Sequence, residues 1–319
     1  MNKEQLAKII LQKALESGFC AAGFAAATSC KEESKRLLDM IRENRHGEMA
    51  YMQKELSVRK HPEKLLPGAK TVFSAALPYT FPLERVKNKA RISRYALVDD
   101  YHRVVRNKLG VLLDFICETY PGSVTGKVFV DSMPVLEKTW AEKAGLGKTG
   151  KNSMLIVPDA GSYVFLGEIL LNIELPPSPS PQFDPCQECD ACLRSCPTGA
   201  LIEKGKLDAR KCISYLTVEL KREFTPEESA MTGEWLFGCD ICQEVCPHNV
   251  LKNPAPASTG LTPIKELLEI TPEQILSLTR SQFKALFAST PIYRTGLKRL
   301  KRNANAVIEN LNNKVKGQK

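Results

Sequence analysis

The sequence predicts an α+β protein built in three parts, and three observations carry that prediction. Over the first 175 residues, short apolar runs alternate with stretches of helical periodicity, the pattern of an α/β or α+β domain. Eight cysteines then fall between Cys186 and Cys246, a thiol density that suits inorganic chemistry. A helical segment with a basic tail follows. The chain divides accordingly into an N-terminal domain (1–175), a Pro-rich linker (176–185), a cysteine domain (186–253) and a helical C-terminal segment (254–319).

The elements follow in chain order. Residues 3–15 place Leu6, Ile9, Ile10 and Leu15 near helical spacing. Phe19–Ala27 is a small apolar segment compatible with a buried strand, and Lys31–Arg45 alternates charge with Leu, Met and Ile as a surface helix does. Thr71–Leu77 reads as a strand ended by Pro78. Tyr101–Thr119 carries Val104, Val105, Leu109, Leu112, Leu113 and Ile116 on one helical face. Lys127–Val130 and Ser153–Val157 are strand candidates, with a helix at Val135–Ala144 between them. Leu175–Pro185 (LPPSPSPQFDP) holds five prolines and reads as a semi-rigid linker.

Composition narrows the class. With 319 residues, 43% hydrophobic and 25% charged, the chain has ordinary globular composition and enough length for a sizeable core. Charged residues interrupt residues 1–18 where a Sec signal would need an apolar core. The best apolar stretches, Cys20–Ala27 and Tyr163–Ile173, are far shorter than the ~20 residues of a membrane span, and Glu168 breaks the second. A soluble cytoplasmic protein is expected. Eleven cysteines, an odd number, make a poor disulfide framework in that compartment. The scattered Cys20, Cys30 and Cys117 read as small buried hydrophobes.

The cysteine block is the most specific signal. Cys186-Gln-Glu-Cys189-Asp-Ala-Cys192-Leu-Arg-Ser-Cys196-Pro197 has the C-x2-C-x2-C-x3-C-P spacing of bacterial ferredoxins. Three thiolates wrap one 4Fe–4S cube, and the Cys before Pro serves its neighbour. A second copy, Cys239-Asp-Ile-Cys242-Gln-Glu-Val-Cys246-Pro247, lacks one leading thiol, and Cys212 is the spare cysteine nearby. The interleaved assignment is therefore Cys186, Cys189, Cys192 and Cys246 for one cluster, and Cys196, Cys212, Cys239 and Cys242 for the other. Zinc also takes four cysteines, but it does not explain two C-x3-C-P endings. Clusters carry single electrons without doing organic chemistry, so the N-terminal domain should hold a substrate or a second cofactor.

Two tempting motifs carry less. Gly145-Leu-Gly147-Lys-Thr-Gly150-Lys151-Asn152 matches G-x-G-x-x-G and nearly matches a phosphate loop. A helical stretch precedes it where a strand is required, and Asn152 replaces the magnesium-binding hydroxyl. A helix C-cap and turn is the plainer reading. Asp100-Tyr-His102 resembles the D-x-H-x-x-G motif of cobalt-ligating proteins, but the Gly is missing and His102 lies on a helix. A surface or satisfied His is expected there. Two basic runs remain: residues 85–94, with five basic residues and no acid, and residues 294–319, with eight basic residues against Glu309, most of the net +9. They suit either a phosphate backbone or a solvated surface.

With the cysteines in place, the chain resembles the epoxyqueuosine reductases, cobalamin- and Fe–S-dependent enzymes that finish queuosine in tRNA. The resemblance runs through RKHPEKLLPGAKTV (59–72), ISRYALVDDYHRVVRNKL (92–109), VDSMPVLEKTWAEKAGLGKTGKNSMLI (130–156), GSYVFLGEILLNIEL (161–175), FGCDICQEVCPHN (237–249) and PIYRTGLKRLKRNA (291–304). A plain ferredoxin would share only the cysteines. The resemblance implies a nitroreductase-like, cobalamin-binding N-terminal domain beside a ferredoxin-like domain. It implies cobalamin held near Arg59, Ser93, Asp131, Leu155, Leu166, Ile169, Ser214 and Asp240, without a protein His on cobalt. Many family members carry a helical-repeat region after the R-N-A block, which ends here about fifteen residues before the last residue.

The implied reaction reduces an epoxide to an alkene, with electrons passing through the clusters to cobalt. The implied partners are the tRNA anticodon stem-loop and an unidentified low-potential electron donor, with no membrane, and the chain is expected to be a monomer. Asp131 matches the family's proton donor, a role open to a buried carboxyl with a raised pKa. Read without the resemblance, Asp131 could equally cap the helix starting near Pro134. A cobalamin and Fe–S reductive dehalogenase and a plain electron-transfer protein are the rival readings. The former usually carries a twin-arginine signal, which this N-terminus lacks.

Overall fold

The computed structural model describes residues 2–83, 90–131, 133–249 and 255–317. Its centre is a four-stranded antiparallel sheet in the order β1-β2-β7-β4. The elements run α1 (Lys3–Glu16), β1 (Ala21–Ala26), α2 (Lys31–Arg42), α3 (Leu56–Lys60), β2 (Thr71–Pro78), β3 (Arg91–Ile92), α4 (Tyr101–Thr119), β4 (Gly126–Phe129), α5 (Glu137–Lys143), β5 (Lys148–Thr149), β6 (Leu155–Ile156) and β7 (Val164–Leu171). The cysteine region adds α6 (Ala191–Ser195), β8 (Leu201–Glu203), β9 (Lys206–Leu207), α7 (Pro226–Thr232), β10 (Trp235–Phe237) and α8 (Ile241–Glu244). Helices α9 (Lys265–Glu269), α10 (Pro272–Ser277), α11 (Arg280–Phe287) and α12 (Leu297–Gly317) follow.

Strand periodicity sorts the side chains into two layers. Phe73, Ala75 and Leu77 of β2 and Ile169 and Leu171 of β7 join Ile10 of α1 and Val105, Leu109 and Leu112 of α4 in one buried cluster. Val72, Ala76 and Leu170 face the other way and pack with Phe129, Trp140 and Ala141 around α5. Every residue of β2 is buried, as a strand between β1 and β7 should be. Phe73 is wholly buried at 5.4 Å from Phe24, and Phe73→Ala should cost roughly 3–5 kcal/mol. Asn2 and Asp100 start the two helices of the first layer by accepting from Gln5 N and His102 N.

The cores do not follow the borders suggested by composition. β10 pairs in parallel with β3, and Leu236 and Phe237 share a cluster with Ile92, Leu97, Phe283, Phe287 and Leu300. The Pro-rich linker lies along the outer strand β1: Ser178 N donates to Phe24 O, and Phe24 N donates to Ser178 Oγ. Gly145 (φ +81°) follows the end of α5, and a Cβ there would lie 2.4 Å from Pro179 O. The G-x-G-x-x-G run is thus a helix end followed by the β5–β6 hairpin. The strand expected at Ser153–Val157 shortens to β6, and the helix expected at Val135–Ala144 starts at Glu137. Among the described residues, no helix is long and apolar enough to cross a membrane.

Candidate functional site

The thiols fall into two electrostatic groups. Burial first, then the thiols of Cys186 and Cys246, raise Cys192, and Cys246 is raised by burial and by Cys186 and Cys189. Burial pushes Cys242 up to about 12, with Cys212 the first of its charged neighbours, and Cys196 adjoins Cys212 in turn. The interleaved pairing stays an expectation, and Cys242 adjoins thiols of both expected sets, Cys192 as well as Cys212 and Cys196. Helices α6 and α8 each start two residues after a cysteine, Cys189 and Cys239, with Asp190 and Asp240 at their N-caps. The glycine-rich hairpin serves the first set, where Lys151 N donates to Cys186 Sγ at 3.2 Å.

A cavity of about 1010 Å³ opens where the cysteine region meets the N-terminal domain. Cys196, Cys212, Cys239 and Cys242 form one wall of it. Asp131, Tyr101 and Glu137 form another, with Leu155 and Leu166 as apolar lining and Ser93 and Ser214 as hydroxyls. Ser214 precedes a π turn, Tyr215–Glu219, in which Leu220 N donates to Tyr215 O. Such turns cluster at functional sites, and this one turns Val218 and Glu219 into the cavity.

Asp131 is the centre of the polar wall. Its backbone is left-handed (φ +50°), its N–H donates to Glu137 Oε1, and its Oδ2 accepts from Tyr101 Oη. His102 Nε2 lies 2.9 Å from the same oxygen, and His102 Nδ1 lies 2.6 Å from Asp100 Oδ1. The Arg294 guanidinium stands beside this pair, 3.0 Å from His102 Nε2 and 3.4 Å from Asp100 Oδ2. Tyr101 is fixed by stacking on Phe165, with centroids 4.0 Å apart.

This geometry settles the helix-cap alternative. Helix α5 has Leu136 at its N-cap and no side-chain cap, so Asp131 does not cap it. A correction comes with it, because the carboxyl is not raised. Burial works to raise it, but hydrogen bonds from His102 and Tyr101 outweigh burial and hold Asp131 below its ordinary value. The proton moves to the neighbours. Burial lowers His102, but Asp100 and Asp131 outweigh it and the imidazole is held above its ordinary value. Burial and then the Asp131 charge push Glu137 up to about 8.

The remaining candidates sit at different depths. Ser93, Leu155, Leu166 and Ser214 border the cavity with Asp131. Ile169 is wholly buried in the sheet core. Asp240 is buried behind Ser93, accepting from Ser93 Oγ and Arg94 N. Arg59 lies on α3 with a buried Nε that has no partner among the described residues, and Nη2 donates to Tyr51 O at 3.5 Å. His102, expected as a surface or satisfied histidine, is buried and satisfied by Asp100 and Asp131, and Glu137 is the neighbour of Asp131 that the sequence does not mark.

The basic runs are corrected more strongly. Arg302 is buried, stacks on Phe224, and donates to the carbonyls of Leu216, Leu220 and Arg222. Arg299 donates to Thr295 O, Val218 O and Arg294 O. Arg91 pairs with Glu244, and Arg94 donates to Phe81 O. These four make hydrogen bonds within the protein, although the Nε of Arg91 and of Arg94 has no partner among the described residues. Residues 85–89 of the first run lie outside the described residues.

A cysteine block with double-cluster spacing that borders one large cavity together with Asp131 and Glu137 defines the class as an iron–sulfur oxidoreductase. Residues 185–249 match a family model described as a 4Fe-4S double cluster binding domain, and residues 59–132 match "Epoxyqueuosine reductase QueG, DUF1730". The epoxyqueuosine reductase of Cellulophaga algicola is 38% identical over 302 residues, 95% of this chain and 98% of that one. The chain belongs to the epoxyqueuosine reductase family.

The Leadbetterella byssophila relative is 42% identical over the same shares of both chains. The Escherichia coli relative is longer, 41% identical over 78% of this chain and 66% of its own. A crystal structure of an epoxyqueuosine reductase with an epoxyqueuosine-modified tRNA-Tyr stem loop superposes with a TM-score of 0.90 at 30% identity, covering 97% of this chain and 82% of that one. The Bacillus subtilis enzyme, seen with its catalytic aspartate loop swung out of the active site, gives 0.87 at 31% identity over the same shares. A catabolic reductive dehalogenase, NpRdhA, is 16% identical with a TM-score of 0.51, covering 97% of this chain and 38% of its own, and shares the fold alone.

Proposed function

We propose that this chain reduces the epoxide of epoxyqueuosine in tRNA to the alkene of queuosine, using two 4Fe–4S clusters and cobalamin. One observation carries the reading: Asp131 lines the same cavity as Cys196, Cys212, Cys239 and Cys242, the four thiols that the interleaved spacing assigns to one cluster. The cavity is at or beyond the upper end of the ~300–1,000 Å³ usual for small-ligand pockets, so it has room for a large cofactor beside a substrate group. Its apolar lining at Leu155 and Leu166 suits the flat body of a corrinoid, and the hydroxyls of Ser93 and Ser214 suit its amide rim. Ile169 and Asp240 would act from behind this lining. Arg59, which the resemblance also places near the cofactor, lines a separate small pocket with Glu168 and not this cavity.

When bound, the clusters supply single electrons and low-valent cobalamin supplies the nucleophile or reductant at the epoxide carbon. The conversion consumes two electrons and two protons and releases the oxygen as water. The chain's own residues handle the protons. His102 Nε2 and Asp131 Oδ2 share one, and its transfer from Asp131 to the leaving oxygen is general-acid catalysis by a histidine-loaded carboxylate. Asp100 holds the imidazole against Asp131 through Nδ1, with Arg294 paired to Asp100, and reloading of the pair from solvent provides the second proton.

The tRNA-bound relative supports an RNA substrate presented at the cavity mouth. The electron donor is a low-potential one-electron carrier, and the working unit is a monomer in the cytoplasm. The test is anaerobic nucleoside analysis of epoxyqueuosine-bearing tRNA treated with reconstituted protein, cobalamin and reductant. Queuosine should form only with all components present. Unchanged epoxyqueuosine with fully loaded protein would refute the assignment.

A further inference from the structure

The conformation of Asp131 is one that an L side chain rarely adopts. At φ +50° it lies in the left-handed region, which crowds Cβ against the backbone and needs support from its surroundings. That support comes from two different helices. Helix α4 holds the side chain through Tyr101 Oη and His102 Nε2. Helix α5 holds the backbone, because Asp131 N–H donates to Glu137 Oε1.

Glu137 is oddly spent for a residue at the start of a helix. It is the first residue of α5, where an acidic side chain ordinarily serves its own helix end. Here the carboxyl reaches back six residues to the Asp131 amide while bordering the cavity. Glu168, wholly buried on β7 and bonded to Ser74 Oγ, is raised by burial and next by the charge of Glu137, which sets the two carboxyls near each other. The other charged groups facing Glu137 are Asp131, His102 and Lys138. Pushed up to about 8, Glu137 accepts the N–H near neutral pH without placing a second negative charge beside Asp131.

We infer that Glu137 is a positioning residue for the reaction: its carboxyl oxygen fixes the left-handed Asp131 backbone so that the Asp131 carboxyl meets the cavity. The inference rests on Asp131 being the proton donor, and it assigns Glu137 no proton of its own to give. Three variants separate these roles in holoenzyme. Glu137→Gln keeps an acceptor oxygen of the same shape, whereas Glu137→Ala and Glu137→Leu remove it, Leu while filling the space. A displaced acid costs on the order of 10²-fold, so the Ala and Leu variants should lose about that much kcat with little change in KM for the stem-loop, and Gln should keep most activity.

A second readout needs no activity. Hydrogen exchange at the Asp131 amide, read in overlapping peptides of the same loaded proteins, should be roughly tenfold faster in the Ala and Leu variants and unchanged in Gln. Unchanged exchange in Glu137→Ala and Glu137→Leu would overturn the inference whatever the substrate is. A Gln variant as inactive as Ala, with slow exchange retained, would overturn it by making Glu137 a proton donor. Faster exchange in the Ala and Leu variants, together with an inactive parent protein, would leave the positioning of the Asp131 backbone standing and refute the reaction assignment instead.

Discussion

His102 Nε2 lies 2.9 Å from Asp131 Oδ2, and the same imidazole is held from its far side by Asp100, 2.6 Å from Nδ1. The arrangement places an imidazole held above its ordinary value between two carboxylates, one of which lines the cavity that Cys196, Cys212, Cys239 and Cys242 also border. Under the proposed function, a carboxyl held below its ordinary value delivers a proton that it takes from the ring. The proton is stored on the ring and passes through the carboxylate.

The pair should leave a signature in pH. Burial lowers His102, but its two carboxylate partners raise it further, so its protonated form contributes stability fully below about pH 6.5, the unfolded value. That contribution is lost as pH rises through the higher folded value. Asp131 is depressed, so its contribution is present above about pH 3.9 and lost as pH falls through its folded value. kcat/KM measured against pH should therefore fall on the alkaline side as His102 deprotonates. His102→Gln should lose that limb along with about 10²-fold in rate. An unchanged alkaline limb in the variant would place the titrating group elsewhere.

Much of this site was legible in the sequence only where its chemistry is local. The cysteine spacings lie within runs of a dozen residues, so the sets could be paired on paper, and helix Tyr101–Thr119 is marked by its own periodicity. His102 reads in the sequence as a surface or satisfied histidine because its decisive partner is 29 residues away, with Arg294 192 residues away. Strand β7 gave no alternation to read, because both of its faces are covered and Glu168 interrupts the run. Arg299 and Arg302 looked like phosphate ligands because the carbonyls they satisfy lie about eighty residues upstream.

Those arginines give a second prediction. Arg302→Ala removes a buried cation from three carbonyls and should cost roughly 2–4 kcal/mol, read as a lower Tm. Stem-loop affinity per folded molecule should not change. Lys298 is 90% exposed, so Lys298→Ala should weaken stem-loop binding and flatten its log–log salt dependence by about 0.7. The reverse pattern would restore Arg302 to the RNA surface.

Iron content tests the interleaved thiols. Anaerobic reconstitution should load about eight irons per chain, and Cys196→Ala should leave about four. Because Cys196 belongs to the cavity-lining set, the cluster held by Cys186, Cys189, Cys192 and Cys246 should survive. Stoichiometric zinc, or loss of both clusters in a protein of unchanged fold, would contradict the pairing.

The most direct test of the account is single-turnover alkene formation by Asp131→Asn with clusters, cobalamin and stem-loop bound. Asn keeps the shape of the carboxyl but has no acidic proton to give, so the account predicts normal binding with turnover down about 10²–10⁴-fold. Near-normal turnover by that variant would contradict it and move the proton donor away from Asp131.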